Sequence, residues 1–500
     1  MKKNIPVTQD EKPRLMQIGA KAFLSALIIL FALMVLAYVM TFVLPSGEYQ
    51  RSGSTWEVYI DADGQERINS SGSEQIVAGS YTQVEGGISF WKWLLSPVLV
   101  LGAEGGATVG FIALFLIIVG GAFNALDGSG VMRYVLSCLH HRFRDRKYTL
   151  LAVVVLFFMC MGAIVGSYED MVPLVPLCVA LAYCLGWDAL VGMGMCLLAV
   201  GCGFATGLCN PYTIGIAQKL AGLPMFSGIG MRLLSFVILY PLLLLFLSRY
   251  AKKIEKNPEK SLVYDPAQTA RWCALREDFA YDKRRSRGMW WYAACTAAGM
   301  SVVICSAFVP ALWDATMPLS ALTFLIAGVG AALLGGLRGR ECLRYFGKGV
   351  VQVLPAVLLI LMAGSIRYTM QEAKILDTVL YYAVNLIQGI SPGVVVLCIY
   401  ALVLVLEVFI ASGSAKAFLL MPLIAPLSDL VGVSRQLSVL AYAYGDGFSN
   451  MIYPTNPVVL ISLGLIGVSY GKWAKWTIGF QILILAITCG LLLLGSYIGY

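Results

Sequence analysis

Charge is scarce in this chain of 500 residues. Only 13% are Asp, Glu, Lys or Arg, while 59% are hydrophobic and the mean hydropathy is +0.79. Soluble domains carry about 25% charge, so a water-solvated globule is excluded. Histidine is nearly missing: His140 and His141 sit side by side in a basic stretch, which leaves no ligand set for zinc. The thirteen cysteines are scattered, mostly in apolar stretches, with no Cys-x-x-Cys spacing and none between 45 and 88. They read as small buried hydrophobes rather than a disulfide or metal framework. No Walker phosphate-binding loop occurs, which argues against an ATP-driven pump working from this chain alone. No nucleophile–base or metal constellation points to an enzyme, and no cofactor is expected.

Apolar runs long enough for a hydrocarbon core of about 30 Å recur along the whole length. Ala22–Leu44 is the clearest, with Leu233–Leu247 and Trp476–Leu494 as others. The first is too long for a signal-peptide core and lacks a small-residue cleavage site, so it is read as a span. The net charge of +8 is placed unevenly. Lys2, Lys3, Lys12, Arg14 and Lys21 open the chain, and Arg249–Arg287 is basic again, closing with Lys283, Arg284, Arg285 and Arg287. By contrast 45–88 has seven acids against Arg51 and Arg67. The positive-inside rule puts the start and the central loop in the cytoplasm and 45–88 outside, in a bacterial inner membrane. Basic loops flanked by spans do not call for a nucleic acid. Within the outer loop, alternation over Thr55–Ile60 and a turn at Asp61-Ala62-Asp63-Gly64 predict a β-hairpin. A calcium loop would need further ligands and a closing Glu that are missing.

The two halves repeat weakly. Val165-Gly166-Ser167-Tyr168-Glu169-Asp170 precedes Met171-Val172-Pro173; Ala411-Ser412-Gly413-Ser414-Ala415-Lys416 precedes Met421-Pro422. Gly203-Phe204 leads to Asn210-Pro211, and Gly447-Phe448 leads to Asn456-Pro457, with the Asn-Pro pairs 246 positions apart. Each half reads as a re-entrant helical hairpin with a Gly-Ser tip (148–186 and 394–431). A helix broken at proline follows each (187–222 and 434–468). Broken helices in corresponding places of two halves point to a transporter's central site. Before the first hairpin, Val131–Lys147 ends in a basic cluster and should lie inside. Before the second, Met370–Gln388 has Lys374 as its only Lys or Arg and should lie outside. The fold expected is an all-α polytopic membrane protein with inverted-topology repeats and a small outer β-hairpin loop. Its parts would be a cytoplasmic start at 1–21, a first repeat at 22–248, a cytoplasmic linker at 249–288, a connecting span at 289–310 and a second repeat at 311–500. Residues 89–104, with Trp91 and Trp93, suit either an interface or a crossing.

If both tips meet both breaks, the site gathers Ser167, Glu169 and Asp170 from tip one, and Thr206, Cys209, Asn210 and Thr213 from break one. Ser412, Ser414 and Lys416 come from tip two, and Asp446, Ser449, Asn450, Thr455 and Asn456 from break two. Glu407 lies one to two turns before tip two. Buried ionisable groups are costly in lipid and suggest function. Glu169 and Asp170 either contact substrate or ion, or cap the helix near Met171. Lys416 either attracts a carboxylate or pairs internally with Glu407. Asp446 serves as an ion ligand or proton carrier if it is functional. Asn210 and Asn456 either bind ligand, including sodium, or tie up opened backbone. Tip serines and glycines are also what close helix packing requires. Four deep acids against one base favour a ligand with a positive group, or a co-bound sodium ion or proton.

At these motifs the chain resembles the YfcC-like carriers of the C4-dicarboxylate anaerobic carrier family, within the ion transporter superfamily. The residues that carry the likeness are Glu169-Asp170 with Pro173, Gly203-Phe204 and Asn210-Pro211-Tyr212-Thr213. To these add Ser412-Gly413-Ser414, Met421-Pro422, Gly445-Asp446-Gly447-Phe448 and Tyr453-Pro454-Thr455. The resemblance implies hairpins meeting broken helices, a scaffold able to form a homodimer, and elevator-type movement. It implies a small-molecule substrate drawn from dicarboxylates or arginine–ornithine-type amino acids. Three features depart from it. The Ser-Asn-Thr tips of the sodium–dicarboxylate branch are missing, Lys416 replaces a neutral residue, and Asn456-Pro457 stands where Ser-Gly is familiar. The function expected is secondary active transport of a small carboxylate-bearing metabolite by ion symport or exchange. In that picture Glu169, Asp170 and Asp446 handle cationic charge, and Lys416 with the tip N–H groups handles the carboxylate. The alternative is a proton or sodium antiporter without organic substrate.

Overall fold

The computed structural model describes residues 20–52, 56–60, 66–70, 75–76, 79–103, 106–143, 146–166, 168–224, 226–264, 282–307, 316–387 and 391–500. Among them, seven helices are long and apolar enough to cross a membrane. Their apolar windows are Ala26–Val43, Val109–Gly128, Lys147–Ile164, Ala189–Thr206, Ile229–Lys256, Gly339–Glu372 and Tyr470–Ile498. Lipid offers the backbone no hydrogen bonds, so spanning segments must satisfy their own, and apolar runs become helices. The first helix, Ala20–Val43, leaves Leu24, Ile28, Phe31, Val39 and Phe42 exposed, as a lipid-facing surface requires.

Residues 89–103 do not cross. They form helices of five and four residues, Phe90–Leu94 and Ser96–Leu99, far short of the roughly 20 a span needs. Trp93 is the anchor: its indole N–H donates to the Met34 carbonyl at 3.1 Å, and its ring stacks on Tyr38 at 4.8 Å. Trp91 stays exposed, as an interfacial aromatic does.

Two helices occupy corresponding places in the halves, Gly106–Gly128 and Gly339–Glu372. They pack along their length where small residues let the backbones approach. A side chain at Gly349 would meet the Gly120 carbonyl, and Asn124 Nδ2 donates to the Tyr345 carbonyl at 2.6 Å. Hairpin one is Lys147–Ile164 and Val175–Leu185; hairpin two is Pro392–Glu407 and Gly413–Val431.

The hairpins open toward opposite faces. At the open end of hairpin one, Glu255 receives the Lys147 ammonium at 2.6 Å and the Trp187 indole at 2.5 Å. Asp188 caps the next helix, its Oδ1 accepting from Val191 N at 3.0 Å. Its Oδ2 accepts from Tyr250 at 2.8 Å and Ser261 at 2.7 Å. This is the end that carries Lys252, Lys253 and Lys256. At the open end of hairpin two, Arg435 holds Asp429 at 2.6 Å and donates to the Ala221 carbonyl at 2.7 Å. Ala221 follows the first broken helix, which has by then traversed the molecule from Asp188. The two repeats are therefore inverted.

The described parts of the acidic loop form three two-stranded antiparallel ladders. Gly47–Glu48 pairs with Thr82–Gln83, Arg51–Ser52 with Gln75–Ile76, and Trp56–Ile60 with Glu66–Ser70, Trp56 opposite Ser70 and Ile60 opposite Glu66. The expected hairpin is there; its turn, 61–65, lies outside the described residues. The loop docks on the arm before hairpin two, Leu376–Ile387. Gly47 N donates to the Lys374 carbonyl at 2.8 Å and Tyr49 N to Asp377 at 3.0 Å, while Tyr81 stacks on Tyr381 at 4.1 Å. The acidic loop and the second arm thus lie at the same face. The other arm, Val131–Phe143, packs instead against Lys283–Ala307, which begins in the basic cluster.

Candidate functional site

Local chemistry explains both tips. Hairpin one descends to Ile164, and Gly166 turns the chain at φ +73°, a conformation that costs a side-chain-bearing residue about 1–2 kcal/mol. Pro173 has no N–H and its ring clashes with the carbonyl four residues back, so Glu169–Leu174 winds as a tight 3₁₀ segment. The α-helix starts only at Val175. Tip two has no such proline. Ser412 caps Gly413–Val431 directly, its Oγ accepting from Ala415 N at 3.5 Å and lying 3.4 Å from Ser414 Oγ. Ser167 lies outside the described residues.

The broken helices open at their Asn-Pro pairs. The first runs through Ala189–Thr206, leaves the helix at Gly207 and resumes as a wide turn at Pro211–Gly215. Asn210 Oδ1 accepts from Thr213 N at 3.3 Å, and Cys209 N donates to the Ala163 carbonyl at 3.0 Å. The second runs Arg435–Ser449 and resumes at Pro457–Ile466. Asn456 caps that second piece, accepting from Val458 N at 2.9 Å, and its amide donates to Asn450 Oδ1. Both asparagines thus tie up opened backbone.

Both tips meet both breaks. A Cβ on Gly166 would fall on the Asn210 amide. Tyr168 reaches across to the Asn450 carbonyl at 3.5 Å. Thr455 Oγ1 donates to the Glu407 carbonyl at 3.4 Å. Gly413 sits between the halves: a Cβ there would lie 2.6 Å from Asp446 Oδ2 and 2.8 Å from Thr213 Cγ2. The broken helices themselves touch, with Cys202 Sγ 4.0 Å from Met451 Sδ.

The charges are arranged tightly. Lys416, Glu407 and Asp446 are all fully buried. The Lys416 ammonium bonds Asp446 Oδ1 at 2.8 Å and pairs with Glu407 on the other leg of its own hairpin. It therefore pairs internally, with two acids rather than the one anticipated. Asp446 Oδ2, beside Gly413, and the hydroxyl of Thr213, whose methyl adjoins Gly413, have no hydrogen-bond partner among the described residues. Glu169 is half-buried. Asp170 is buried, as are Thr206, Ser449, Asn450 and Thr455. Ser414 touches only its neighbour Ser412 among the bonds described.

Three residues escaped sequence reasoning. Tyr442 donates its hydroxyl to the Gly413 carbonyl; it stands one turn before Asp446 on the same helix face, which was a usable signal. Tyr168 sits inside tip one between residues already singled out. Arg232 is the third, 1% exposed, with Nη2 donating to the Phe226 and Ser227 carbonyls at 2.8 and 2.6 Å. Standing at the edge of an apolar run, it looked like an ordinary span end.

The profile of the C4-dicarboxylate anaerobic carrier (DcuC) family matches residues 23–497. A protein of Escherichia coli (strain K12) named "Putative basic amino acid antiporter YfcC" is 30% identical over 390 residues, 75% of each chain. An uncharacterized Haemophilus influenzae protein is 26% identical over 512 residues, covering 95% of this chain and 96% of its own. Among solved structures, the YdaH transporter of Alcanivorax borkumensis aligns with TM-score 0.41 and 17% identity over 95% of this chain and 99% of that one. Neisseria gonorrhoeae MtrF aligns with TM-score 0.44 and 16% identity over 94% and 95%. The chain belongs to the C4-dicarboxylate anaerobic carrier family and is a multi-pass membrane transporter of the bacterial inner membrane.

Proposed function

We propose that this carrier exchanges a cationic amino acid by alternating access, at the junction of the two tips and two breaks. The observation that carries the reading is the charge balance around Gly413. The one lysine of the site is consumed by Glu407 and Asp446, which leaves the trio one negative charge in excess. Glu169 and Asp170 add two more acids nearby. Low dielectric amplifies such an excess, so a solute bearing an ammonium or guanidinium is favoured over a dianion. The solute's carboxylate would face the free N–H groups opening the Gly413–Val431 helix, whose dipole favours an anion. The Escherichia coli relative named for basic amino acid antiport supports the same class. The family's own name points to C4-dicarboxylates, which would need more cationic partners than Lys416 provides in its present pairing.

Counterflow in proteoliposomes tests this. Vesicles loaded with unlabelled arginine, lysine, ornithine, aspartate or succinate are diluted into the labelled solute. Saturable uptake of cationic amino acids alone is expected. Uptake of succinate with none of arginine would reverse the assignment. Proton or sodium flux that is indifferent to every organic solute would favour the ion antiporter reading.

A further inference from the structure

We infer that Lys416 is a resident counter-cation: its ammonium fills the place between Glu407 and Asp446 that a co-transported sodium ion would otherwise occupy, so exchange runs without sodium. The inference rests on the exchange reading above and specifies its coupling.

Position carries the first part. Lys416 stands in the first turn after tip two, Glu407 ends the opposite leg of the same hairpin, and Asp446 lies on the second broken helix. One ammonium thus ties together the hairpin and the helix it closes on. All three side chains are shut off from solvent. Two buried carboxylates with no cation between them would be strongly disfavoured in a low-dielectric setting. A sodium-coupled carrier meets that demand by binding its ion on every loaded cycle. Here a covalently attached charge meets it whether or not solute is bound.

The unmatched polar atoms carry the second part. After Lys416 takes Asp446 Oδ1, Asp446 Oδ2 remains without a hydrogen-bond partner among the described residues, and so does the hydroxyl of Thr213, whose methyl adjoins Gly413. Buried polar atoms without partners are costly, and both belong to residues that meet at Gly413, where tip two touches break one. Both oxygens can accept from the head group of an organic cation. The solute's positive group then balances the charge that Lys416 leaves over. The trio then reaches neutrality when solute is bound, with no added metal ion.

The test uses the full-length protein in proteoliposomes and labelled arginine counterflow. With sodium replaced by choline, wild-type uptake is expected to change less than twofold, and radioactive sodium should not accumulate with arginine. Lys416→Met is expected to lose at least tenfold in choline and to recover several-fold when sodium is restored. Lys416→Arg should stay indifferent to sodium. Glu407→Gln combined with Lys416→Met removes both members of one pair and should raise sodium-free uptake at least fivefold over the single variant. That double variant and the wild-type substitution decide the matter if Lys416→Met alone does not fold. Wild-type uptake that needs sodium overturns the inference while leaving the exchange reading intact. So does a double variant as sodium-dependent as the single one. Absence of counterflow for arginine and every other amino acid overturns both.

Discussion

Tip one and tip two stand at corresponding places in inverted repeats, yet they carry opposite charge: Asp170 and Lys416 are 246 positions apart, the same offset as Asn210 and Asn456. Their backbones differ as well. Tip one is slack, turning on a left-handed glycine and delaying its α-helix until after Pro173. Tip two is taut, capped at Ser412 and helical from Gly413. The repeat preserves where the chain turns in the membrane, because turning there requires glycine, proline and capping residues whatever is carried. It does not preserve charge. The difference assigns labour: tip two holds the fixed cation and locks onto Asp446, while tip one contributes the half-buried acid Glu169. Each prediction below sets one tip, or the arm leading to it, against the other.

The largest effect should come from Lys416→Met. It leaves Glu407 and Asp446 buried without their shared cation, and breaking a buried pair costs about 3–5 kcal/mol. Thermal unfolding in detergent should show the loss, largely relieved in the double variant with Glu407→Gln. Glu169→Gln on tip one removes a half-buried charge and should leave unfolding unchanged or slightly later. Equal losses from both substitutions would erase the distinction between the tips.

The next effect compares glycines. Gly413→Ala forces a methyl against Asp446 and Thr213, an overpacking of about 1–3 kcal/mol. Gly166→Ala meets the Asn210 amide and also pays the left-handed penalty of about 1–2 kcal/mol. Gly166→Ala is therefore the more destabilising. Gly413→Ala is the more damaging to transport relative to its stability, because its methyl crowds Asp446 where both tips and breaks meet. The ratio of arginine counterflow to folded protein for the two variants checks this.

These glycines also show how far sequence reading reached. Repeat spacing, proline breaks and charge asymmetry were enough to place both hairpins, both breaks and the opposed arms, because all of these are written in residue types the backbone itself demands. The charge pairing was legible in part: Lys416 with Glu407 was one of two readings, and the contact with Asp446 was not foreseen. Glu407 and Lys416 are nine positions apart on two legs of a hairpin, and nothing in one dimension says that Asp446 completes the pair. Arg232 was hidden for a related reason: its partners are backbone carbonyls, which leave no mark in a sequence.

A smaller effect separates the caps. Asn456→Ala removes an acceptor 2.9 Å from Val458 N and should cost about 1 kcal/mol, within the usual range for a cap. Ser412→Ala removes one at 3.5 Å and should cost less. Unfolding midpoints in reverse order would mean that tip two depends on its cap more than the geometry implies.

The smallest effect concerns the arms. Arm two is clamped by the acidic loop, whereas arm one packs on the Lys283–Ala307 helix with no strand against it among the described residues. In the clamp, Tyr81 and Thr378 share a hydroxyl bond of 2.9 Å, and Thr378 donates to the Pro45 carbonyl at 2.8 Å. Tyr81→Phe keeps the stack on Tyr381 and removes only the hydroxyl, so about 0.5–1.5 kcal/mol of docking is at stake. Hydrogen exchange at residues 79–83 reads it as a modest rise in rate. Tyr49, buried in the same clamp beside Asp377, has its phenol pushed up to about 12, first by burial and then by that carboxylate. A phenol that holds its proton more tightly folded than unfolded adds nothing to the pH dependence below its ordinary value of 10. Docking weakens only as pH climbs from there toward 12. Exchange protection of the loop, corrected for the intrinsic rate, should therefore be flat from about pH 6 to 9. A slope in that window would mean that a group other than Tyr49 sets the strength of the clamp.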